Sequence, residues 1–513
     1  MAMTSSDIAL RVAGVTKAFG PLLANDAISF DVKRGEVVAL LGENGAGKTT
    51  LMNIVFGHYV ADAGHVEAHG EMLRPGDPQA ALAAGIGMVH QHFALADNLT
   101  VLENLMLGTE RLWLPWSDRR DARERLRQLS ARAGLVIDPQ ARVGRLTVGE
   151  RQRVEILKAL YRDARVLILD EPTAVLTPQE AESLFATLRK LVGLGLSIIF
   201  ISHKLGEVLD IADRIVVLRQ GRVVLERMTE GATRDDLATA MVGRQLVPPQ
   251  LGAGTAKGVA LRLHALDAGS ADGRQRLHGI DLTIGHGEIV GIAGVAGNGQ
   301  SLLADILCGV AVPAHGGIEL DGESMECLTP RGALAAGIGR VPEDRHASGV
   351  VGDMDLSENA ILERIGDRRF STWGWRNPRA ARTHAAALIA EFDIRGATPR
   401  TQARLLSGGN MQKLILGRVL TEHPKVIIAN QPTRGLDVGA VLYVQERLAA
   451  ARRDGAGILL ISEDLDELLA LSDRIGVMYR GRLSACRPRD ALDIRTLGLM
   501  MAGAGFGETS HAS

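Results

Sequence analysis

Residues 42–50 read Gly-Glu-Asn-Gly-Ala-Gly-Lys-Thr-Thr, and the apolar run Val37–Leu41 leads directly into them. The segment matches the pattern G-x-x-x-x-G-K-[ST], in which backbone N–H groups and the start of a helix surround a phosphate. An apolar helix pattern follows from Thr49. This order of strand, loop and helix predicts a phosphate-binding loop, in which Lys48 reaches the β- and γ-phosphates and Thr49 binds Mg²⁺.

The same loop occurs a second time, at residues 294–301, as Gly-Val-Ala-Gly-Asn-Gly-Gln-Ser. Its glycines are retained, so the backbone can still bend around a phosphate, but Gln300 stands where the first copy has Lys48. The two loops are offset by 252 residues (300 − 48), and paired segments further along are offset by 260 (463 − 203). The chain therefore contains a duplicated unit, with a net insertion of eight residues (260 − 252) in the second copy.

The repeat sets the expected domain organisation. Pro and Gly cluster between the copies, at 247–254, which is typical of a linker. In each copy, short apolar runs such as Val166–Leu169 alternate with helical patterns, which predicts an α/β fold with a largely parallel sheet. We expect a first domain at 1–246, a linker at 247–258, a second domain at 259–503 and a flexible tail at 504–513.

The bulk composition excludes several classes of protein. With 513 residues, the chain is too long for one ordinary core. The hydrophobic fraction of 46% and the net charge of −2 predict a soluble globular protein without the basic field of a nucleic-acid binder. Its three cysteines follow no pairing pattern, which fits a reducing compartment. We expect no signal peptide at residues 1–7, and no apolar run reaches the roughly 18 residues that span a bilayer.

Two carboxylates follow the apolar run Val166–Leu169. Asp170 is placed to hold Mg²⁺, directly or through water, and Glu171 is placed to orient and polarise the attacking water. A strand that ends in two acidic residues is weak evidence by itself. Together with the phosphate loop, it predicts hydrolysis of a nucleoside triphosphate.

Residues 146–152, Leu-Thr-Val-Gly-Glu-Arg-Gln, resemble the signature motif of ATP-binding cassette (ABC) proteins. Gln91 matches that family's Q-loop glutamine, a ligand of Mg²⁺ and water that couples the nucleotide to a transmembrane partner. His203 matches the switch histidine that contacts the γ-phosphate, and Phe19 matches the aromatic residue that stacks on adenine. The resemblance covers nearly the whole chain in two passes. It implies two P-loop ABC nucleotide-binding domains, each with a mostly parallel core sheet, an antiparallel β subdomain and a helical subdomain.

The resemblance also implies an ATPase with ATP and Mg²⁺ as cofactors. The implied catalytic residues are Glu171, Gln91 and His203, and the implied metal ligands are Thr49, Gln91 and Asp170. The residues implied to contact ATP are Phe19, Gly42, Asn44, Gly45, Ala46, Gly47, Lys48, Thr49, Thr50, Ser407, Gly408, Gly409 and Gln412.

The second copy departs from the family pattern at its nucleotide-handling side chains, while its signature, Leu-Ser-Gly-Gly-Asn-Met-Gln at 406–412, is intact. The first copy shows the reverse, with Thr147 and Val148 in place of the usual serine and glycine. The replacements in the second copy are Gln300 for Lys48, Glu343 for Gln91, Asn430 for Asp170, Gln431 for Glu171 and Glu463 for His203. ABC domains pair head to tail, so the resemblance implies one complete site and one degenerate site. We hypothesise that the degenerate site retains nucleotide without hydrolysing it.

The fused, asymmetric pair resembles the ATP-binding subunit of bacterial importers for simple sugars and nucleosides. This implies two transmembrane permease subunits, indirectly a secreted or periplasmic solute-binding protein, and a place on the cytoplasmic face of the cell membrane. The segments 89–93 and 341–346 look more like the nucleoside branch, and a simple-sugar importer is the alternative. A soluble ATPase acting on ribosomes is a third possibility, which the short Pro/Gly linker disfavours.

All four tryptophans lie between a Q-loop position and a signature, in segments that should form a helical lobe facing the permease: Trp113, Trp116, Trp373 and Trp375. We expect them to pack within the lobe. The alternative is that they lie in a dry interface with a partner.

Overall fold

In the computed structural model the chain divides into two compact units, Met1–Leu246 and Val247–Ser513, and each is described by itself. Of the linker and tail expected at 247–258 and 504–513, only Gly258 and Ala504 lie within the described residues. The structure describes residues 7–20, 22–90, 94–109, 119–173, 176, 178–202, 204–243, 258–270, 273, 275–325, 328–373 and 375–504.

The first unit contains a central sheet and a smaller antiparallel sheet. Its strands are β1 (Ile8–Phe19), β2 (Leu22–Lys33), β3 (Val37–Gly42), β4 (Ala63–Ala68), β5 (Glu71–Met72), β6 (Ile86–Val89), β7 (Val166–Asp170), β8 (Ser197–Ile201), β9 (Arg214–Arg219) and β10 (Arg222–Met228). The central sheet has the order β10-β9-β3-β8-β7-β6, with β10 antiparallel to β9 and all other neighbours parallel. The antiparallel sheet has the order β2-β1-β4-β5.

The helices of the first unit follow from its parallel topology, because each parallel connection needs a crossover. They are α1 (Lys48–Val55), α2 (Pro78–Ala83), α3 (Val101–Met106), α4 (Arg119–Ala133), α5 (Val148–Tyr161), α6 (Pro178–Gly193), α7 (Leu205–Ile211) and α8 (Arg234–Val242). Helices α3, α4 and α5 pack against one another and form a lobe between β6 and β7. One core lies between the two sheets and α1, where apolar residues of β1, β2 and β3 are buried.

The second unit repeats this plan. Its strands are β11 (Val259–Gly269), β12 (Arg276–Gly285), β13 (Ile289–Ala293), β14 (His315–Leu320), β15 (Glu323–Ser324), β16 (Ile338–Val341), β17 (Ser371–Thr372), β18 (Trp375–Arg376), β19 (Val426–Asn430), β20 (Gly457–Ser462), β21 (Arg474–Tyr479), β22 (Arg482–Leu483) and β23 (Arg487–Pro488). The main sheet has the order β16-β19-β20-β13-β21-β22, parallel from β16 to β21, with β22 and β23 antiparallel to β21. An antiparallel sheet, β12-β11-β14-β15, covers one face.

The helices of the second unit are α9 (Gln300–Leu307), α10 (Pro330–Ala336), α11 (Leu356–Ala360), α12 (Pro378–Glu391), α13 (Gly408–Leu420), α14 (Val438–Arg453), α15 (Leu465–Leu471) and α16 (Ile494–Met501). The α/β class, the mostly parallel sheets, the antiparallel sheets and the helical lobes agree with the sequence-based prediction. Among the helices of the described residues, none combines the length and apolarity that crossing a bilayer requires.

In the second unit, α12 packs against α11 and α13, and these three helices form its lobe. The lobe carries a short hairpin, β17 and β18, between α11 and α12. Trp373 is 96% exposed and Trp375 is 82% exposed. The prediction that the tryptophans pack within the lobe is therefore wrong for these two. Trp113 and Trp116 lie outside the described residues.

Candidate nucleotide site

The first phosphate loop owes its shape to glycines at its two ends. Strand β3 is buried along its whole length and ends at Gly42, and the loop closes at Gly47, which caps α1 with a φ of 97°. A Cβ atom at Gly42 would collide with the carbonyl oxygen of Leu218, and one at Gly47 would collide with that of Ala24. Both positions therefore require glycine, because the loop runs against neighbouring backbone at each end.

Lys48 lies over this loop. Its side chain is buried, and Nζ donates to the carbonyl oxygens of Gly42 at 2.7 Å and of Glu43 at 2.9 Å. The ammonium is thus held at the loop whose backbone N–H groups would surround a phosphate.

The other predicted loop residues fall into exposed and buried sets. Asn44, Gly45 and Thr49 are exposed, Thr50 is half-buried and Ala46 is buried. The exposed side chains therefore stand where a ligand can reach them.

The structure adds a loop contact that sequence reasoning missed. Asn25, on β2, is completely buried, and its Nδ2 donates to the carbonyl oxygen of Gly47 at 3.0 Å. The backbone N–H of Gly221 donates to the carbonyl oxygen of Ala46 at 3.2 Å. These two contacts hold the end of the loop from strand β2 and from the turn between β9 and β10. Nothing in the sequence of β2, where Asn25 stands among other polar residues, distinguishes it as a loop contact.

Asp170 and Glu171 lie at the carboxyl end of β7, beside β8 and one strand away from the loop that follows β3. Burial raises the pKa of Asp170 and the charge of Glu171 adds to this rise, while Lys48 opposes it. A bound cation would offset this cost of a buried carboxylate. The Asp170 carboxylate and the exposed Thr49 hydroxyl are oxygen donors of the kind that suits Mg²⁺.

Glu171 has an unusual backbone conformation. Its φ is 48°, in the left-handed region, and its N–H donates to the carbonyl oxygen of Ile201 at 2.9 Å. Gln431, its counterpart in the second unit, has a φ of 49° and an equivalent bond to Ile461 at 2.8 Å. A left-handed non-glycine residue costs free energy and is often found at functional sites.

Phe19 lies at the end of β1 with 43% of its surface exposed. Its ring meets Tyr59 edge-on at 5.7 Å between centroids, and Lys17 Nζ lies 5.5 Å from its ring centroid. Sequence reasoning did not anticipate Tyr59. An exposed ring supported in this way is available for stacking. The predicted residues Gln91 and His203 lie outside the described residues.

The signature of the second unit begins α13. Ser407 is the N-cap, and its Oγ accepts from the N–H of Asn410 at 3.4 Å. The Asn410 side chain is engaged with the backbone of Arg395, to whose carbonyl oxygen it donates at 3.1 Å. A Cβ atom at Gly409 would approach Ala440 Cβ to 3.1 Å, so larger residues crowd α14. Gln412 is buried in α13.

The signature of the first unit begins α5 with a different cap. Thr147 Oγ1 accepts from the N–H of Glu150 at 3.3 Å and donates to Glu150 Oε2 at 3.0 Å. This capping box stabilises the helix but engages the hydroxyl and places a carboxylate beside it. Such a helix start is poorly suited to a phosphate, whereas the Ser407 hydroxyl has no acidic neighbour of this kind at residue 410.

The second phosphate loop keeps the backbone of the first. Gly297 and Gly299 have φ values of 89° and 111°, close to those of their counterparts in the first loop, 82° and 97°. Gln300 is buried, and its Nε2 donates to the carbonyl oxygen of Val295 at 3.1 Å. The amide therefore reaches the position that corresponds to Glu43 but carries no charge.

Comparison with known proteins agrees with this geometry. The model of the family described as ABC transporter matches residues 25–174 and 277–434. The chain is 44% identical to the glucose import ATP-binding protein TsgD13 of Haloferax volcanii, over 97% of this chain and 96% of that one. It is 41% identical to the nucleoside import ATP-binding protein NupA of Lactococcus lactis, over 98% of this chain and all of that one.

A solved structure, that of the archaeal ribosome recycling factor aABCE1 in complex with a ribosomal stalk protein, matches 98% of this chain with a TM-score of 0.62. That chain is only 18% identical, so the match concerns the fold alone. The two family matches and the similarity to full-length import ATP-binding proteins decide the assignment. The chain belongs to the ABC transporter family and is a nucleotide-binding ATPase with two cassettes in tandem.

Proposed function

We propose that the chain powers the import of a nucleoside through a separate permease, using one working ATP site. That site combines the loop and carboxylates of the first unit with the signature of the second. The observation that carries this proposal is that each unit retains the motif that the other has lost, the phosphate loop in the first unit and the signature in the second. The first unit keeps Lys48 and Glu171 but engages its signature hydroxyl with Glu150, while the second lacks the loop lysine but presents Ser407 without such a carboxylate.

Within the working site, backbone N–H groups of the loop and Lys48 would bind the β- and γ-phosphates. Thr49 and Asp170 would hold Mg²⁺, which supplies positive charge for the phosphate oxygens. Glu171 would orient the attacking water and accept its proton. The left-handed backbone at Glu171 is a costly conformation of the kind that is often found at functional sites, and it supports the role of a positioned base.

Ser407 would complete the site from the other unit. The first turn of α13 begins with two glycines, so its N–H groups are accessible, and a helix start favours an anion. Gln91 and His203 would assist at the γ-phosphate, as the family pattern implies. The site that remains would combine Gln300, Asn430 and Gln431 with the Thr147 signature. Without the Mg²⁺ carboxylate and the base, it would not turn over.

The transport role rests on the relatives. NupA is named as a nucleoside importer and TsgD13 as a glucose importer, with similar identity to this chain. The segments 89–93 and 341–346 favour a nucleoside, and a simple sugar is the second candidate because of TsgD13. We propose two permease subunits, a secreted or periplasmic solute-binding protein, and a place on the cytoplasmic face of the membrane.

The exposed hairpin fits a contact with such a partner. Two tryptophans that are 96% and 82% exposed are costly in water, and indole rings are enriched at protein interfaces. Trp373 and Trp375 also lie in the lobe that the family turns toward its permease. We propose that they pack against the permease.

Uptake measurements test this function. In cells that carry Glu171→Gln at the native locus, uptake of radiolabelled guanosine or uridine should fall to background, while glucose and ribose uptake should be unchanged. Gln431→Ala, at the matching position of the second unit, serves as the control and should transport normally. Loss of sugar uptake with intact nucleoside uptake would identify the chain as a sugar importer subunit.

A further inference from the structure

We infer that the second phosphate loop carries its own resident cation, Arg434, and takes a nucleoside triphosphate without Mg²⁺. This inference rests on the part of the proposed function in which the second site retains nucleotide. It concerns Arg434, whose role does not follow from the absence of a lysine and of the two carboxylates in the second unit.

Three side chains are linked beside the second loop. Ser301 Oγ, at the start of α9, donates to Glu343 Oε2 at 3.0 Å. The other oxygen of Glu343 accepts from Arg434 Nη1, which forms an ion pair with it. The carbonyl oxygen of Arg434 accepts from Arg345 Nη2 at 2.8 Å, which fixes the segment that carries Arg434.

These residues occupy the positions that would bind Mg²⁺ in the first unit. Ser301 corresponds to Thr49, Glu343 to Gln91 and Asn430 to Asp170. In the second unit the hydroxyl is engaged by a carboxylate, that carboxylate is neutralised by a guanidinium, and the third ligand is an uncharged amide. The residues present therefore do not fit Mg²⁺, because no carboxylate among them is left unneutralised to hold the ion.

The same arrangement fits a phosphate group directly. The side chain of Arg434 is 49% exposed, and its partner Glu343 also contacts Ser301 at the end of the loop, so N–H groups that do not face Glu343 are open to a ligand there. A guanidinium binds phosphate through paired N–H groups, and its charge does not depend on pH. The loop itself keeps the left-handed glycines that bend its backbone, at Gly297 and Gly299. The ligand class is therefore a free nucleoside triphosphate, with Arg434 in place of the metal ion.

Binding of radiolabelled ATP to the full chain tests this inference. Lys48→Ala is the background, because it weakens the first site. In that background, equilibrium dialysis should give dissociation constants in EDTA and in Mg²⁺ that agree within about twofold. Adding Arg434→Gln should weaken binding in EDTA by about tenfold or more, the loss expected for one charge-assisted contact.

A matched control is available on the lobe of the same unit. Arg376 forms an ion pair with Glu358, and its side chain is 42% exposed, close to that of Arg434. Arg376→Gln should leave ATP binding in EDTA unchanged. If Arg434→Gln fails to fold, Glu343→Gln replaces it, since it releases the guanidinium and should bind ATP in EDTA at least as tightly as the background.

Four results would overturn the inference. They are unchanged binding in EDTA after Arg434→Gln, binding to the Lys48→Ala background only when Mg²⁺ is present, no binding in either condition, and weaker binding in EDTA after Glu343→Gln. None of them affects hydrolysis of Mg²⁺-ATP by the unaltered chain. Failure of that hydrolysis would instead contradict the proposed working site.

Discussion

The two phosphate loops share one contact to the residue after their last glycine, although that residue is a lysine in one loop and a glutamine in the other. Lys48 Nζ contacts the carbonyl oxygen of Glu43 at 2.9 Å, and Gln300 Nε2 contacts that of Val295 at 3.1 Å. Both side chains are buried. A neutral amide thus keeps one of the two loop contacts that the ammonium makes, since Lys48 Nζ also donates to the carbonyl oxygen of Gly42. This loop backbone therefore occurs with an uncharged side chain at that position, and we assign the charge of Lys48 to phosphate binding.

The two signatures also differ in a way that separates stability from ligand binding. Thr147 and Glu150 build the stronger helix cap, with reciprocal bonds, while Ser407 has the weaker cap. The signature that we assign to the working site is thus the less stable helix start. The helix is less strongly capped at the signature whose hydroxyl we expect to contact the ligand.

The largest effect is expected for Glu171→Gln, which gives the first unit the residue that the second unit has at position 431. We expect ATP hydrolysis to fall by roughly 10²–10⁴-fold, because a general base is removed while the backbone can stay left-handed. Release of radiolabelled phosphate measures it. Gln431→Ala should change the rate by less than about twofold. Residual hydrolysis above about a tenth would mean that the second unit also turns over.

A buried acid in the second unit sharpens the comparison through pH. Complete burial raises the pKa of Glu467 from 4.5 to about 7, although Ser462 donates to it. The folded unit therefore holds the proton more tightly than the unfolded chain. Its contribution to stability is complete below about pH 4.5 and is lost as the pH rises through about 7.

Glu467→Gln should thus raise the free energy of unfolding at pH 8, by roughly 3 kcal/mol at most, and should do little near pH 4.5. Urea unfolding at the two pH values measures this. Glu207 is the counterpart of Glu467 in the first unit, and its Oε1 lies 3.3 Å from Lys204 Nζ. The second unit has Asp464 at the position of Lys204. Glu207→Gln is the control and should destabilise at pH 8. An equal effect of Glu467→Gln at both pH values would contradict the titration.

A double substitution transfers the first signature to the second unit. Ser407→Thr with Asn410→Glu should lower ATP hydrolysis by about ten- to a hundredfold, because the hydroxyl then donates to a carboxylate that also repels phosphate. The helix stays capped, so folding is preserved. Thr147→Ser with Glu150→Asn is the reciprocal control and should leave the rate within about twofold. The reverse ranking in the phosphate-release assay would exchange the roles of the two signatures.

The smallest effect is expected at Phe19, which no aromatic residue matches in the second unit. Phe19→Ala should raise the KM for ATP by about fivefold with little change in kcat, since base stacking contributes about 1 kcal/mol. Leu22→Ala is the control, because Leu22 pairs with Phe19 across the hairpin and is also exposed. An equal KM change in both variants would assign the effect to the hairpin and not to stacking.

The duplicated fold was predictable from local pattern. The buried strand Val37–Gly42 and its glycine loop fix the α/β class, because so few sequences combine a fully apolar run with that spacing. The capping box of Thr147 and Glu150 is also visible in the sequence as T-x-x-E, but its effect on the signature hydroxyl follows only from the bonds in the structure.

Contacts between distant residues were not predictable. Arg434 and Glu343 are 91 positions apart, and Asn25 supports Gly47 from a different strand. The sequence shows which residues differ between the two copies, but not which of these residues contact each other. The exposure of Trp373 and Trp375 was missed for a related reason. A hydrophobic side chain is expected to be buried, but the sequence does not show whether it is buried in its own chain or against a partner.

The shared left-handed backbone of Glu171 and Gln431 bears on how the second unit lost its chemistry. Codons for glutamate and glutamine differ by one base, as do those for aspartate and asparagine and those for lysine and glutamine. Because the main chain at Gln431 matches that at Glu171, with a φ of 49° against 48°, exchanging glutamate for glutamine here takes one base and no change in the backbone. Restoring the residues of the first unit would take more than this one base, because Gln300, Glu343 and Asn430 also differ from their counterparts.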